Sequence, residues 1–333
     1  MNPFRTLLAL AFSFAAIGCA REPDLTVYCA HDQVFAEPLI QRYAKEHGLD
    51  VRVEFDIEGQ KTVGLVTRII EEQSRPRCDV FWNNEAAHSA RLAERGLLAS
   101  YDSPSAKDIP AEFRDPQHRW TGFGARGRVL IVNTELAAPS KLHSVRDLLD
   151  PAFKGKTCMA KPLTGTTLSH AAAWIDELGE AQTLAFLKEL QAGGVNFVQS
   201  NGQVMRLVSS GEMAYGMTDT DDFNVARMRG SPVAVVYPDQ DGDGTLVIPN
   251  TVMVLASAPH QDAAKRFVDW VLSKEVEAEL ARCDAAQIPV RADVPRPAHV
   301  RSTAEVKTLP VDWAKIGADL ERRFELMKGL FVG

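Results

Sequence analysis

The feature that most constrains the fold is an alternation of strand and helix patterns that begins near residue 25. Short apolar segments at 25–29, 51–55 and 78–82 have the length and composition of strands, and amphipathic helical patterns separate them. Consecutive parallel strands need a crossover of a dozen or more residues, which a helix usually provides. The alternation therefore predicts βαβ units around a mostly parallel sheet, which is an α/β fold.

A second series of strands and helices extends to about residue 245. It includes a strand at 128–133 and a helix that is capped near Thr164. Beyond it, the pattern predicts a strand at 245–257, one long amphipathic helix at 262–282 and a final helix at 311–331. Because a chain of 333 residues can form two hydrophobic cores, we expect two α/β lobes.

Residues 1–19 have the pattern of an export signal. A basic residue precedes an apolar run at 7–17, which is too short to span a membrane. Small residues directly before Cys19 match the bacterial lipoprotein signal, although Ala16 stands where Leu is usual. We expect Cys19 to be lipidated, so that the mature protein is exported and anchored by lipid. The alternative is a plain cleaved signal in which Cys19 is incidental.

Composition and charge exclude one class of partner. The formal net charge is -7, and no block of Lys and Arg interrupts the chain. Proteins that bind nucleic acid usually carry such a basic block or stripe. The sequence therefore predicts no nucleic-acid partner.

The four cysteines after the signal contain no C-x-x-C pair, so the sequence does not predict a zinc ribbon or a thioredoxin-like site. Cys29 closes one predicted strand and Cys78 opens another. Export would permit a disulfide between neighbouring strands. The sequence does not distinguish a disulfide between Cys29 and Cys78 from two buried free thiols. It indicates no partner for Cys158 or Cys283.

Two motifs resemble ligand-binding loops without the context that such loops need. The G-x-G-x-x-G of residues 122–127 precedes a predicted strand, whereas a dinucleotide site needs a following helix. The acidic stretch at 239–244 begins like a calcium loop, but Asn250 stands where the loop needs a bidentate Glu. We interpret it as an acidic turn, with a weak cation site as the minor alternative.

Enzyme signatures are also missing from the sequence. It contains no G-x-S-x-G, no H-E-x-x-H and no P-loop. We therefore expect a protein that is not an enzyme. The alternative from that class is an exported hydrolase with a catalytic metal held by His31 and the acidic cluster described next.

The segment "GMTDTDDFNVA" at 216–226 places three carboxylates, Asp219, Asp221 and Asp222, within four positions. In one interpretation they form a solvated loop, and Asp222 caps a helix that begins near Phe223. In the other they form a wall of a binding site. Because buried carboxylates need a cationic partner, such a wall would bind a positively charged group of the ligand.

Six stretches together resemble a known family. They are "LTVYCAHDQ", "CDVFWNNEAAHSARLAERGLL", "ARGRVLIVN", "TGTT", "SSGEMAYGMTDTDD" and "AAKRFVDWVLSKEVEAEL", in this order over about residues 25–330. They resemble the periplasmic ferric-ion-binding proteins of bacterial ABC importers, and the wider extracellular solute-binding family that includes organophosphorus binders.

The resemblance implies a two-lobed clamshell of the type II periplasmic-binding-protein class with a strand hinge. Lobe 1 would comprise residues 24–127 plus about 246–300, and lobe 2 residues 128–245 plus about 301–333. Ligand would bind between the lobes and pass to an ABC permease driven by an ATPase. We expect a monomer that needs no cofactor. A sensor module that binds the same ligand is an alternative role.

The resemblance also implies an anion-binding half of the site. "TGTT" opens a helix, where free backbone N–H groups and the helix dipole favour an anion. In the family the matching segment binds phosphate or another small anion, and Asn201 matches a further contact. The expected anion-binding residues are Thr164, Gly165, Thr166, Thr167, Asn201 and Arg126, with Arg128 on the same predicted strand; the alternative is a plain helix cap.

The cation-binding half departs from the family. His31 follows the first strand where ferric binders commonly supply a histidine, and Asn84 with Glu85 lies where some supply a glutamate. Thr220 and Asp221 replace the family's adjacent tyrosines; carboxylate oxygen is also a hard ligand. The implied cation-binding residues are His31, Asp219, Thr220 and Asp221, with Asn84, Glu85 and Asp222 as weaker candidates; the metal ligands would be His31, Asp219 and Asp221.

Two ligands satisfy these implications. In the first, ferric iron is held by His31 and the aspartates and completed by phosphate or another small anion. In the second, a small zwitterion such as an aminophosphonate places its amine on the aspartates and its anion on the helix terminus. With either ligand, we expect changing Asp219 and Asp221 together to Asn to abolish binding and leave the fold intact.

Overall fold

The computed structural model describes residues 22–56 and 63–332. The predicted export signal and Cys19 therefore lie outside the described residues. No helix within these two ranges has both the length and the apolar character required to cross a membrane.

The described ranges contain strands and helices in the predicted alternation. The strands are β1 (Leu25–Cys29), β2 (Val51–Phe55), β3 (Val80–Asn83), β4 (Thr121–Asn133), β5 (Thr157–Ala160), β6 (Asn196–Val198), β7 (Tyr215–Asp219), β8 (Val233–Val236) and β9 (Val247–Val254). The helices are α1 (Gln33–His47), α2 (Val63–Glu71), α3 (Ala86–Glu94), α4 (Gly165–Leu178), α5 (Glu180–Gly193), α6 (Asn201–Ser209), α7 (Thr220–Met228), α8 (Gln261–Val271), α9 (Lys274–Arg282) and α10 (Trp313–Phe331).

The strands form one continuous path in the order β2-β1-β3-β9-β4-β7-β5-β6, and β8 also pairs with β4. The pairs β1–β2, β1–β3, β5–β6 and β5–β7 are parallel, as βαβ units require. The pairs that β9 and β4 make are antiparallel. Two parallel half-sheets are thus joined by antiparallel strands, which confirms the two-lobed α/β fold.

Strand β4 passes from one half-sheet to the other. Its first part, up to Gly127, pairs with β9, and its second part, from Arg128, pairs with β7 and β8. We refer to the half built on β1, β2, β3 and β9 as lobe 1, and to the half built on β5 to β8 as lobe 2. Every residue of β4 is buried, so its side chains lie between the two lobes or in their cores.

Helix α10 contacts both lobes. The backbone of Gly317 approaches α3 so closely that a Cβ atom there would lie 2.5 Å from the Cβ of Ala90. Further along α10, buried Arg323 donates to the carbonyl of Ala172 at 2.6 Å and to Asp176 at 2.8 Å, both on α4. The helix therefore ties α3 of lobe 1 to α4 of lobe 2.

Two predicted helix boundaries were wrong. The single helix predicted at 262–282 is divided into α8 and α9, because the Ser273 hydroxyl accepts from the backbone N–H of Val276 and starts a new helix. Helix α7 begins at Thr220 with Asp219 in the N-cap position, three residues before the predicted cap at Asp222. Asp222 lies in the first turn instead.

The four described cysteines are free thiols. The two that the sequence left open as a pair, Cys29 and Cys78, lie at opposite ends of neighbouring parallel strands. Cys29 is in register with Trp82, four residues beyond Cys78, which separates the cysteines by about 13 Å along the strand direction. A disulfide needs much closer Cα atoms, so the pairing is excluded. Burial raises the pKa of both thiols.

Candidate functional site

The helices α4, α6 and α7 begin close together because each directly follows a strand of lobe 2. Strands β5, β6 and β7 are parallel neighbours, so their carboxyl ends meet at one edge of the half-sheet. Thr166 in α4 and Asn201 at the start of α6 both bond to Asp219, which precedes α7. Three positive helix ends therefore face one region.

Arg128 and Asp219 form the centre of this region. Arg128 Nη1 donates to Asp219 Oδ1 at 2.6 Å, and the side chains are 0% and 5% exposed. The second oxygen, Oδ2, accepts from Thr166 Oγ1 at 2.7 Å and from Asn201 Nδ2 at 3.0 Å. Thr167 Oγ1 accepts from Arg128 Nη2 at 3.2 Å. The charge of Asp219 is thus compensated inside the protein.

A second arginine–aspartate pair lies next to the first. Arg126 is two residues before Arg128 on β4, and its Nη1 is 3.6 Å from Asp221 Oδ2, with side chains 7% and 13% exposed. Burial raises the pKa of the Asp221 carboxyl, Arg126 opposes that rise, and Asp219 and Asp32 add to it. The Arg126 pKa is raised by the surrounding aspartates in spite of its burial. The charge of Asp221 is only partly compensated.

Both arginines retain a hydrogen-bond donor without an acceptor. Among the described residues, the buried Nε atoms of Arg126 and Arg128 have no hydrogen-bond partner. A buried donor that is left unsatisfied costs roughly 1–3 kcal/mol. The region can therefore still accept an oxygen ligand from outside the protein.

The carboxylates form one compact group. Within the described part of the chain, oxygens of Asp219, Asp221 and Asp222 lie within 4.8 Å of one another. His31 is not a member of this group, so the expected metal set of His31, Asp219 and Asp221 is not brought together. The reason is its position at the end of β1 in lobe 1, where the ring stacks on Trp82 at a centroid distance of 5.8 Å.

Other predicted site residues have structural contacts. Thr220 Oγ1 accepts from the backbone N–H of Gly127 at 3.1 Å, which fixes α7 against β4. Asp222 Oδ2 accepts from Thr218 Oγ1 at 2.7 Å. Thr164 is the exposed N-cap of α4, and Gly165 follows it with a positive φ of 56°. These contacts position the three helix ends.

The lobe 1 side of the region is formed by the start of α3. Glu85 is buried and caps α3 by accepting from the backbone N–H groups of Ala87 and His88. Its Oε2 also accepts from Ser169 Oγ on α4 at 2.7 Å, across the two lobes. Asn84 is buried beside it, and its backbone N–H donates to Asn83 Oδ1. Glu85 thus contacts lobe 2 through α4.

Sequence reasoning missed three contributors. The first is the ion pair of Arg128 with Asp219. The available signal was that Arg126 and Arg128, two residues apart on a strand, lie on the same face, so a site that includes Arg126 also has Arg128 beside it. Asp32, which precedes α1, raises the pKa of Arg126 and of Asp221; its place directly after β1 and His31 was the signal for it. Ser169 had no signal, since it is one of many small residues on a buried helix.

Two lobes joined by crossing strands, with polar helix ends and paired charges between them, define a ligand-binding protein of the clamshell class. Residues 38–308 match the family model described as bacterial extracellular solute-binding protein. The chain therefore belongs to that family, and its relatives are binding proteins and not enzymes.

Individual relatives differ in ligand. The chain is 27% identical to iron uptake protein A1 of Synechocystis, with 92% of this chain and 86% of that protein covered. It is 28% identical to a periplasmic protein of Salmonella typhimurium that is provisionally named for binding 2-aminoethylphosphonate, with 88% and 87% covered. Iron-bound HitA of Pseudomonas aeruginosa has the same fold, with a TM-score of 0.82 at 24% identity over 92% of this chain and 99% of that chain.

Proposed function

We propose that this protein is the exported receptor of an ABC importer and captures a small organophosphorus zwitterion between its lobes. Family membership and the periplasmic relatives support export and delivery to a permease. Cys19, in the predicted lipoprotein signal, would anchor the receptor to the membrane. The observation that carries the ligand class is the presence of both charge signs in one buried region.

The anionic group of the ligand would bind where donors converge. The first turns of α4 and α6 present backbone N–H groups that the helices themselves cannot satisfy. The Nε atoms of Arg126 and Arg128 add buried donors without an acceptor among the described residues. A phosphonate or phosphate has three terminal oxygens and can satisfy several of these donors at once.

The cationic group of the ligand would bind the aspartates around Arg126. Asp221, Asp219, Asp32 and Asp222 all act on the Arg126 guanidinium, and Asp219 is already neutralised by Arg128. One guanidinium therefore faces a local excess of carboxylate. An amine beside Asp221 would lower the pKa of that carboxyl and remove part of the cost of its burial.

Ferric iron is the second candidate, because oxygens of Asp219, Asp221 and Asp222 lie within 4.8 Å of one another and are hard ligands. However, both oxygens of Asp219 already accept hydrogen bonds, from Arg128, Thr166 and Asn201. Iron would have to displace those donors and lie close to two arginines. The geometry therefore favours the organic ligand.

A thermal-shift comparison on the chain from residue 20, stripped of ligand by unfolding and refolding, tests the proposal. The probes are 2-aminoethylphosphonate, ethylphosphonate without the amine, inorganic phosphate, and ferric citrate with and without phosphate. We expect stabilisation of a few degrees by 2-aminoethylphosphonate at about a hundred times its dissociation constant. Ethylphosphonate should stabilise less, because it lacks the group that Asp221 binds.

Asp221→Asn should remove the preference for the amine. The matched control is Asp241→Asn, which makes the same charge change in the exposed acidic turn. If only ferric citrate stabilises the protein, and Asp221→Asn removes that stabilisation, the ligand is iron and not an organophosphorus zwitterion. Equal thermal shifts with 2-aminoethylphosphonate and ethylphosphonate would show that the aspartates do not bind the amine.

A further inference from the structure

One hydrogen bond joins the two lobes at the starts of their helices. Ser169 Oγ on α4 of lobe 2 donates to Glu85 Oε2, which precedes α3 of lobe 1, at 2.7 Å. Both side chains are buried. The bond lies about one helical turn from the Arg128–Asp219 pair, because Ser169 follows Thr166 by three positions on α4.

Lobe 1 holds Glu85 in a single position. Its two carboxylate oxygens accept from the N–H groups of Ala87 and His88. Its backbone carbonyl accepts from Asn83 Nδ2 and from the hydroxyls of Ser89 and Thr251. Because these contacts belong to lobe 1, the carboxylate keeps its place whether or not α4 is near. Of the hydrogen bonds described for Glu85, the one from Ser169 requires α4 of lobe 2 to lie against lobe 1.

Helix α10 holds α3 and α4 at positions beyond their first turns, so the two lobes can separate most easily at the first turns of α3 and α4. Helix α10 approaches α3 at Ala90 and bonds to α4 at Ala172 and Asp176. These contacts lie toward the carboxyl ends of α3 and α4 relative to Glu85 and Ser169. A rotation that swings the starting ends apart breaks the Glu85–Ser169 bond and can leave the α10 contacts in place.

We propose that Glu85 and Ser169 form a latch that holds the two lobes closed before ligand binds. The latch is a positioning device: it brings the start of α4, with Thr166 and Thr167, against lobe 1 without contacting the ligand. The apparent affinity of a ligand that binds only the closed state falls in proportion to the closed fraction. The latch concerns the motion of the ligand-free protein and does not depend on the ligand class proposed above.

Small-angle X-ray scattering of the ligand-free chain from residue 20 tests the latch. Ser169→Ala removes the hydroxyl and leaves the Glu85 cap of α3 intact. We expect the ratio of closed to open protein to fall about tenfold, as for loss of a hydrogen bond to a charged group, with a measurable rise in radius of gyration. Ser169→Thr keeps the hydroxyl and should keep the closed form.

Thr183→Val is the matched control. Thr183 is a buried helical hydroxyl that bonds to the carbonyl of Gly179 within lobe 2, so its loss should leave the scattering unchanged. Scattering of Ser169→Ala identical to that of the unmodified protein would overturn the proposal. Equal expansion of Thr183→Val would also overturn it, because opening would then follow general loss of stability. Failure of 2-aminoethylphosphonate to bind leaves this ligand-free comparison unaffected.

Discussion

Two arginine–aspartate pairs, built on the same strand and on the same helix start, have different environments. Arg128 and Asp219 are 2.6 Å apart, and further donors satisfy the remaining carboxylate oxygen. Arg126 and Asp221 are 3.6 Å apart, more exposed, and surrounded by other carboxylates. The sequence presents these pairs as near equivalents, two residues apart in both segments.

The difference shows that surroundings, and not residue type, separate a structural ion pair from a ligand-responsive one. A buried pair stabilises only when its remaining donors and acceptors are also satisfied. Thr166, Thr167 and Asn201 bond to the Arg128 Nη atoms and to Asp219, which leaves Arg128 Nε as the one donor of this pair without a partner among the described residues. Asp221 lacks such a set, and its pKa is raised. We therefore expect the first pair to control stability and the second to control binding.

The largest expected effect is the loss of stability in Arg128→Met. This change leaves Asp219 buried without its cation, which costs about 3–5 kcal/mol for a broken buried pair. Urea unfolding of the ligand-free protein measures the loss. Arg126→Met is the paired comparison and should cost only about 1–2 kcal/mol, because Asp221 is partly exposed. Equal losses would show that the two pairs are equivalent.

The next largest effect is expected for Asp219→Asn. The sequence analysis expected the double change of Asp219 and Asp221 to Asn to leave the fold intact, but the structure places Asp219 in a buried ion pair. We expect a loss of about 2–3 kcal/mol, since Arg128 loses its charged partner. The unfolding midpoint in urea is the measurement. An unchanged midpoint would return Asp219 to the role of a ligand-binding carboxylate.

Asp221→Asn should have little effect on stability at low pH and should stabilise the protein at neutral pH. The pKa of Asp221 is raised in the folded protein. Its favourable contribution is therefore complete below the ordinary carboxyl range and is lost as the pH rises through the raised pKa. The increase in unfolding free energy that Asp221→Asn produces should therefore be larger at about pH 8 than at about pH 4. An equal or smaller increase at pH 8 would contradict this assignment.

The smallest effect is expected far from both pairs, at Glu177. Partial burial, a hydrogen bond with Asp243 and the charges of Asp243 and Asp239 raise its pKa to about 7. Stability should therefore decrease as the pH rises from the usual carboxyl range through about 7. Glu177 is exposed enough for solvent to screen these charges, so the decrease is small. Glu177→Gln should remove it in thermal scans across this pH range, whereas an unchanged profile would locate the titration elsewhere.

Much of the fold could be predicted from the sequence. The limits of β1 and β2 and the end of the final helix follow from local apolar periodicity. The end of α1 follows from Gly48, which has a positive φ. The break between α8 and α9 was missed, because the apolar stripe continues through Ser273. Whether Ser273 faces solvent or caps a new helix depends on where the chain must turn to pack. Periodicity alone does not contain that information.

The candidate site could be located from the sequence but not resolved into roles. The acidic segment and "TGTT" were both assigned to the site, and the structure joins them through the bond of Thr166 to Asp219. The sequence expected Asp219 to await a ligand cation, whereas Arg128 already supplies the charge. Cys29 and Cys78 differ from this case: parallel neighbouring strands were predicted, and because Cys29 closes one strand and Cys78 opens the other, the parallel direction itself separates the two thiols.

The sequence by itself determined the alternation of strands and helices, the presence of two lobes and the absence of enzyme motifs, because each depends on residues close together in the chain. The tertiary structure decided which carboxylate is neutralised, which arginine neutralises it and where lobe 1 contacts lobe 2. Arg128 meets Asp219 across 91 positions, and Glu85 meets Ser169 across 84. Such contacts depend on the packing of whole elements, and the desolvation that gives them their energy exists only once those elements have come together.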